Sequence, residues 1–319
     1  MKCRICDNSE NNKEYEVKEM MYGFRDRFIY FQCSKCGCLQ ISEILSDMSK
    51  YYPSDYYSFA LNISEHPIKI FIKNLRNNYA VFNKGIIGKF IMTGFPNESM
   101  RSLSKVHLTK TSSILDVGCG RGILLNDLQK IGFKNLWGVD PYIPEKYIRN
   151  ENGFKIIKNR VHNINGKWDL IMFHHSFEHL PNPAETLQAV SRLLANGGIC
   201  LIRIPTVSSF AWEHYKTNWV QIDAPRHFFL HSVDSMRILA EENQMVLKEV
   251  VYDSMDFQFW GSEQNAKDIP SMSEQSYSIN PKKSIFSSSE IKMFKQKAKK
   301  LNSENNGDQA VFYLKKSDA

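Results

Sequence analysis

No run of about eighteen apolar residues occurs in this 319-residue chain, so no helix is expected to cross a bilayer. The first ten residues, MKCRICDNSE, are polar and unlike a secretory leader. No internal repeat is present, which excludes a solenoid or propeller. Cysteine is sparse, seven residues, and with no leader the expected compartment is the cytoplasm. Reduced thiols or metal ligands are therefore expected rather than a disulfide framework. Acid is scarce in two stretches. His66 to Lys110 holds eight Lys/Arg and one acid, and Lys282 to Lys300 holds seven lysines and one glutamate. With the whole chain at +7, these two basic segments sit on an acidic remainder. They read either as solvated faces or as contacts for an anionic partner such as a nucleotide-sugar, a lipid phosphate or RNA.

What is present, from Ser112 onward, is a strand–helix alternation. Ile114–Val117, Asn135–Val139, Phe154–Ile157, Trp168–Phe173 and Ile199–Ile204 read as five strands, with Val246–Tyr252 and Gln309–Lys315 as two more. Leu124, Leu128 and Ile131 mark a helix face between the first two. Pro183 opens a helix through Leu187, Val190 and Leu194, which Gly197-Gly198 is expected to close. Ser232 is placed to cap a helix through Met236 and Leu239. Residues 66–95 carry apolar positions at helical spacing with lysines between them, as one or two amphipathic helices. That segment reads first as a packed linker and second as a membrane-surface helix.

The chemical signal lies in ILDVGCGRG, Ile114 to Gly122, between a strand and a helix. Glycines there let a ligand approach the backbone. Asp116 would repel a pyrophosphate and attract a cation, which separates the motif from a dinucleotide fingerprint. Asp140 closes the second strand in GVD, suited to two ribose hydroxyls. These residues, with DLIMFHHSFEHLPNP and LLANGGICLIRIP, resemble the class I S-adenosylmethionine-dependent methyltransferases from about Ser112 to Ile204. The resemblance implies that Asp116, Gly118, Cys119, Gly120 and Gly122 hold the methionine end of the cofactor. It implies that Asp140 binds ribose and that Phe173 and His174 border the adenine and the transfer site.

Cys3-x-x-Cys6 and Cys33-x-x-Cys36 form two knuckles with 26 residues between them, suited to one structural zinc; Cys38 is a fifth candidate. The cysteine ribbon followed by YYPSDYY, with WVQIDAPRHFFLHS, FWGSEQ and GDQAVFYLKK, resembles a group of bacterial methyltransferases acting on sugars and on polysaccharide or antibiotic precursors.

His227, in APRHF after the fifth strand, is the first candidate base, and His179 the second. Tyr215, Trp219 and Arg226 are candidate acceptor-pocket residues. Glu178-His179 resembles the pair in ubiquinone-type O-methyltransferases, where Glu-x-x-Glu-His holds a metal. Here His175 stands at the first position, and His175, Glu178 and His179 form the corresponding metal candidate.

The expected fold is α/β, a doubly wound Rossmann-like seven-stranded sheet with a small zinc module. The expected division is 1–45 for the module, 46–110 for a helical linker or lid, and 111–319 for the cofactor domain, with 259–307 inserted before the last strand. The expected function is S-adenosylmethionine-dependent methylation of a small molecule, foremost a phosphate-bearing sugar, sugar nucleotide or polysaccharide precursor. RNA methylation and a non-enzymatic binding module are the alternatives; nucleic acid is disfavoured because no NPPY-type base-holding motif follows the fourth strand.

Overall fold

The computed structural model describes residues 1–53, 66–151 and 153–317. Residues 54–59 of the tyrosine-rich stretch lie outside them. Three short strands, β1 (Lys13–Lys18), β2 (Arg27–Gln32) and β3 (Leu39–Ile41), open the chain. Helices α1 (Pro67–Phe82), α2 (Ile86–Gly94) and α3 (Glu98–Arg101) follow. The alternating part then runs β4 (Ser113–Val117), α4 (Ile123–Lys130), β5 (Asn135–Val139), β6 (Arg149–Glu151), β7 (Phe154–Ile157), β8 (Trp168–His174), α5 (Pro183–Leu193) and β9 (Leu194–Pro205). It ends with α6 (Phe210–Tyr215), β10 (Phe229–Leu230), α7 (Val233–Glu242), β11 (Met245–Tyr252), α8 (Phe257–Ala266), α9 (Ser288–Ser303) and β12 (Gln309–Lys316).

The main sheet has the order β11-β12-β9-β8-β4-β5-β7-β6. Strands β4, β5, β7, β8 and β9 are parallel, whereas β12 runs antiparallel to both β9 and β11. The sheet therefore has eight described strands where seven are expected. The eighth is β6, a three-residue edge strand antiparallel to β7. Both faces are buried, as strand pleating requires when helices cover each side. Along β4 and β8, Ile114, Leu170 and Met172 enter one core, and Leu115, Ile171 and Phe173 the other. The first core is closed by α1, α2 and α4 through Ala80, Val81, Met92, Leu125 and Leu128. The second is closed by α5, α7 and the N-terminal cysteine region.

Two local expectations change. The helix opened by Pro183 ends at Leu193, and Leu194 already pairs with Trp168, so Gly197-Gly198 lies inside β9. A Cβ at Gly198 would stand 2.7 Å from the Trp168 carbonyl oxygen, so close backbone approach explains that glycine. The predicted cap of α7 is present, with Ser232 accepting from Ser235 N at 2.9 Å.

The N-terminal region shares its sheet with the larger body. A four-stranded sheet runs β1-β2-β3-β10, so Phe229–Leu230 supply its fourth strand. Arg226, fully buried, joins the two parts by ion pairs to Glu19 at 2.9 Å and Asp223 at 2.6 Å. Tyr30 Oη donates to the His227 carbonyl at 2.8 Å. The loop from Trp219 to Ser232 is thus fixed from its N-terminal side by the cysteine region.

Candidate active site

The carboxyl ends of the parallel strands form one rim, where open α/β sheets bind ligands. At its centre β4 ends in Asp116, and the chain turns through Gly118 to Gly122 into α4. At Gly118, with φ of 76°, a Cβ would come 2.4 Å from Cβ of Ser176. Gly120 has φ of 50° and open space where its Cβ would be, leaving room for a ligand. Its N–H donates to Asp140 Oδ2 at 3.1 Å, and Tyr142 N–H donates to Oδ1 at 2.8 Å. Asp140 is thereby locked at the end of β5 beside the loop.

Asp116 is buried, and burial together with the charge of Asp140 pushes its carboxyl up to about 7. Burial raises Asp140 as well, against the two backbone donors. Two neighbouring carboxylates in low dielectric call for a cation. That donor set fits the ammonium and sulfonium of S-adenosylmethionine. Cys119 offers its backbone, since its side chain packs on β5 where a Cβ at Gly138 would meet Sγ at 2.5 Å. Phe173 is fully buried, its ring edge-on to Phe177, so only its backbone reaches the rim. His174 follows it; both its ring nitrogens are buried without a hydrogen-bond partner, and burial first, then Arg203, hold it well below the usual imidazole range. A neutral imidazole with unused donor and acceptor therefore stands between the two sides of the rim.

On the other side of β8 opens a cavity of about 1350 Å³ lined by His175, His179, Arg203, Asp253 and His227. The glycine loop does not line it. Glu178 lies beneath, fully buried, with neither oxygen in hydrogen-bond geometry. Its nearest neighbours are His175 Nδ1 at 3.5 Å and His227 Nε2 at 4.0 Å. Burial opposes its ionisation, but His175, His179 and His227 outweigh it and hold the carboxyl down at about 2.

The tautomers follow from the partners. His227 Nδ1 is 2.7 Å from the Gln221 carbonyl, which can only accept. Nδ1 therefore carries a proton, and in the neutral ring the lone pair is on Nε2. His179 likewise donates from Nδ1 to the Arg226 carbonyl at 2.8 Å, and burial lowers its basicity. Arg203 donates to His175 Nε2 at 2.8 Å, so the His175 proton sits on Nδ1, facing Glu178. Arg203 is itself held by Asp253 at 2.6 Å. His175 adopts φ of 52°, a left-handed backbone that a non-glycine residue adopts at a cost.

The metal candidate changes membership. Ligand atoms of Glu178, His179 and His227 lie within 4.8 Å of one another, and His175 falls outside that group. Arg226 does not line the cavity; it is the buried clamp described above. Tyr215 donates to Glu263 at 3.0 Å and also stands away from the cavity, whereas Trp219 lines it while its Nε1 donates to Asp308 at 3.0 Å. Arg203 and Asp253 are the site residues that sequence reading missed. The available signal was an arginine inside the apolar run ICLIRIP.

At the N-terminus, Cys3 and Cys36 Sγ atoms are 3.6 Å apart and those of Cys6 and Cys33 are 3.5 Å apart. All four lie within 4.8 Å of one another. Tetrahedral zinc at ~2.3 Å from each sulfur would set them ~3.8 Å apart. N–H groups of Ile5, Cys36 and Gln40 point at the sulfurs, at 3.4, 3.5 and 3.1 Å, as suits thiolates. The four cysteines could hold a metal. Cys38 is buried apart from them, its Sγ directed at the Leu39 carbonyl.

Residues 94–250 match a family model described as a methyltransferase domain. The chain is thus similar, over residues 94–250, to a methyltransferase domain. The chain is similar over 96 residues, at 34% identity, to a ubiquinone biosynthesis O-methyltransferase of Colwellia psychrerythraea, covering 27% of this chain and 39% of that one. The same holds over 95 residues, at 34% identity, for the enzyme of that description from Shewanella pealeana, with 27% and 40% covered. The chain thus spans about two fifths of the length of these curated relatives. A solved 1,6-didemethyltoxoflavin-N1-methyltransferase of Burkholderia thailandensis is 12% identical, covering 81% of this chain and 94% of that one, with a TM-score of 0.42.

Proposed function

We propose that the whole chain is an S-adenosylmethionine-dependent methyltransferase acting on a small molecule, most directly a sugar, sugar nucleotide or polysaccharide precursor. Bound S-adenosylmethionine supplies an electrophilic methyl group at a sulfonium. Asp116 and the glycine loop hold its cationic end, Asp140 orients the ribose, and His174 completes the border. The acceptor occupies the cavity on the far side of β8. The observation that carries this reading is His227. It is positioned in the cavity wall with Nδ1 spent on Gln221 and the Nε2 lone pair available. Nε2 takes the proton from an acceptor hydroxyl or acidic carbon, and Glu178 and Asp223, 4.0 and 3.9 Å away, stabilise the imidazolium formed. Arg101 and Lys105 from one basic segment, and Lys295 and Lys299 from the other, line the same cavity and suit a phosphate-bearing acceptor. Zinc on Cys3, Cys6, Cys33 and Cys36 would be structural, steadying the sheet that β10 joins.

The test is methyl transfer to a panel of nucleotide-sugars, with short RNA as the comparator, in the presence and absence of EDTA. Transfer to a nucleotide-sugar that survives EDTA supports this reading. Transfer only to RNA contradicts it, and EDTA-sensitive transfer with an unchanged melting temperature and all four cysteines still metal-bound assigns the His227 lone pair to a cation at Glu178 and His179.

A further inference from the structure

The helical pair ahead of the matched region has a surface unlike the rest of the molecule. From His66 to Asn97 the chain holds five Lys/Arg and no acid. Helices α1 and α2 pack tightly, since a Cβ at Gly88 would come 2.4 Å from the Leu75 carbonyl oxygen. One side of the pair faces the domain. Asn77, Ala80, Val81 and Met92 are buried there, and Phe82 stacks on Phe133 with centroids 5.6 Å apart. The other side presents Ile68, Phe71, Ile86, Ile87 and Phe90, with Phe95 just beyond, each 62–76% exposed. Elsewhere among the described residues, Tyr142 at 77% is the one large apolar side chain above 60%. A patch of this kind marks a docking surface.

We propose that the α1–α2 pair docks on an anionic membrane surface. Its apolar side chains would enter the headgroup boundary, with Lys69, Lys84 and Lys89 over lipid phosphates. Charge selects this occupant. A second copy placed face to face by two-fold symmetry would set the same cations against each other with no acid between. An anionic bilayer supplies both the apolar layer and the opposite charge. No described helix is long and apolar enough to cross it, so the contact is interfacial. Thr93, Gly94, Pro96 and Asn97 line the large cavity, so docking would bring one wall of that cavity to the lipid. The proposal does not depend on the acceptor or on methyl transfer.

The test is co-sedimentation of the full chain with vesicles of phosphatidylcholine alone and of phosphatidylcholine mixed with phosphatidylglycerol. Sedimentation is expected with the anionic vesicles only, and it should weaken as salt is raised. The double variant Ile86→Ser, Phe90→Ser should lose it while melting as the parent does, because both side chains are exposed. Lys84→Gln and Lys89→Gln should each weaken it about fivefold. Failure to sediment with anionic vesicles, or binding indifferent to these variants, overturns the proposal. So does a concentration-dependent dimer, seen by ultracentrifugation without lipid, that Ile86→Ser, Phe90→Ser abolishes, since the face would then join two copies.

Discussion

Asp116 and Glu178 are both buried carboxyls near the ends of neighbouring strands, yet one is pushed up to about 7 and the other held down at about 2. Burial raises each. The difference is company: Asp116 faces another acid, Asp140, and Glu178 faces three imidazoles. Burial alone therefore does not assign a role to an acid; the charges around it do. Asp116 has an electrostatic deficit that a cationic ligand would fill. Glu178 faces imidazoles that can take up a proton, as the counter-charge of the proposed base would need. Under the proposed function the rim would divide accordingly into a cofactor side and a proton-handling side, with His174 and His175 at the division.

The linkage signs are opposite. Asp116, raised in the folded state, contributes stability below about pH 4 that is lost as pH rises through 7. Glu178, depressed in the folded state, contributes about 3 kcal/mol above its ordinary value of 4.5, lost as pH falls towards 2.

The contrast is tested most severely by removing the group that Glu178 serves. His227→Ala should lower turnover by ~10²–10⁴-fold while calorimetric binding of S-adenosylhomocysteine stays as in the parent; retained turnover would remove His227 as the base. Asp116→Asn should weaken S-adenosylhomocysteine binding about a hundredfold, ~3 kcal/mol, with the melting temperature preserved or raised. Glu178→Gln should cost about tenfold in turnover, leave cofactor affinity unchanged, and flatten the acid side of a melting curve series between pH 5 and 3. The smallest effect is expected of Tyr30→Phe. It loses one hydrogen bond to the loop carrying His227, worth about 1 kcal/mol by denaturant unfolding, and turnover should fall by a few fold.

The loop and acid proposed here as the cofactor side were legible in the sequence because Asp116 to Gly122 and Asp140 are local signals at strand ends. The seven strands that carry the sheet are readable for the same reason, as apolar runs bounded by turn residues. Strand β6 is not, because Arg-Asn-Glu is polar and only three residues long. The N-terminal sheet is not either. β3 has three residues and β10 two, and their pairing joins Leu39 to Leu230 across most of the chain. Arg226 illustrates the limit on the acceptor side. Its neighbour His227 marks it as a pocket residue, yet its guanidinium is consumed by Glu19, which only the tertiary fold brings near. The Glu178–His227 pair is likewise tertiary, and EH reads as a helix start until Arg203 and Asp253 show how His175 is oriented.

The decisive measurement is calorimetric titration with S-adenosylhomocysteine at pH 8 and pH 6, on the parent chain and on Asp116→Asn. The expected result is binding by the parent that weakens towards pH 6 as Asp116 takes up its proton, and weaker binding by Asp116→Asn that is the same at both pH values. No binding by the parent at pH 8, or parent-like affinity in Asp116→Asn, would contradict the assignment of this rim to S-adenosylmethionine.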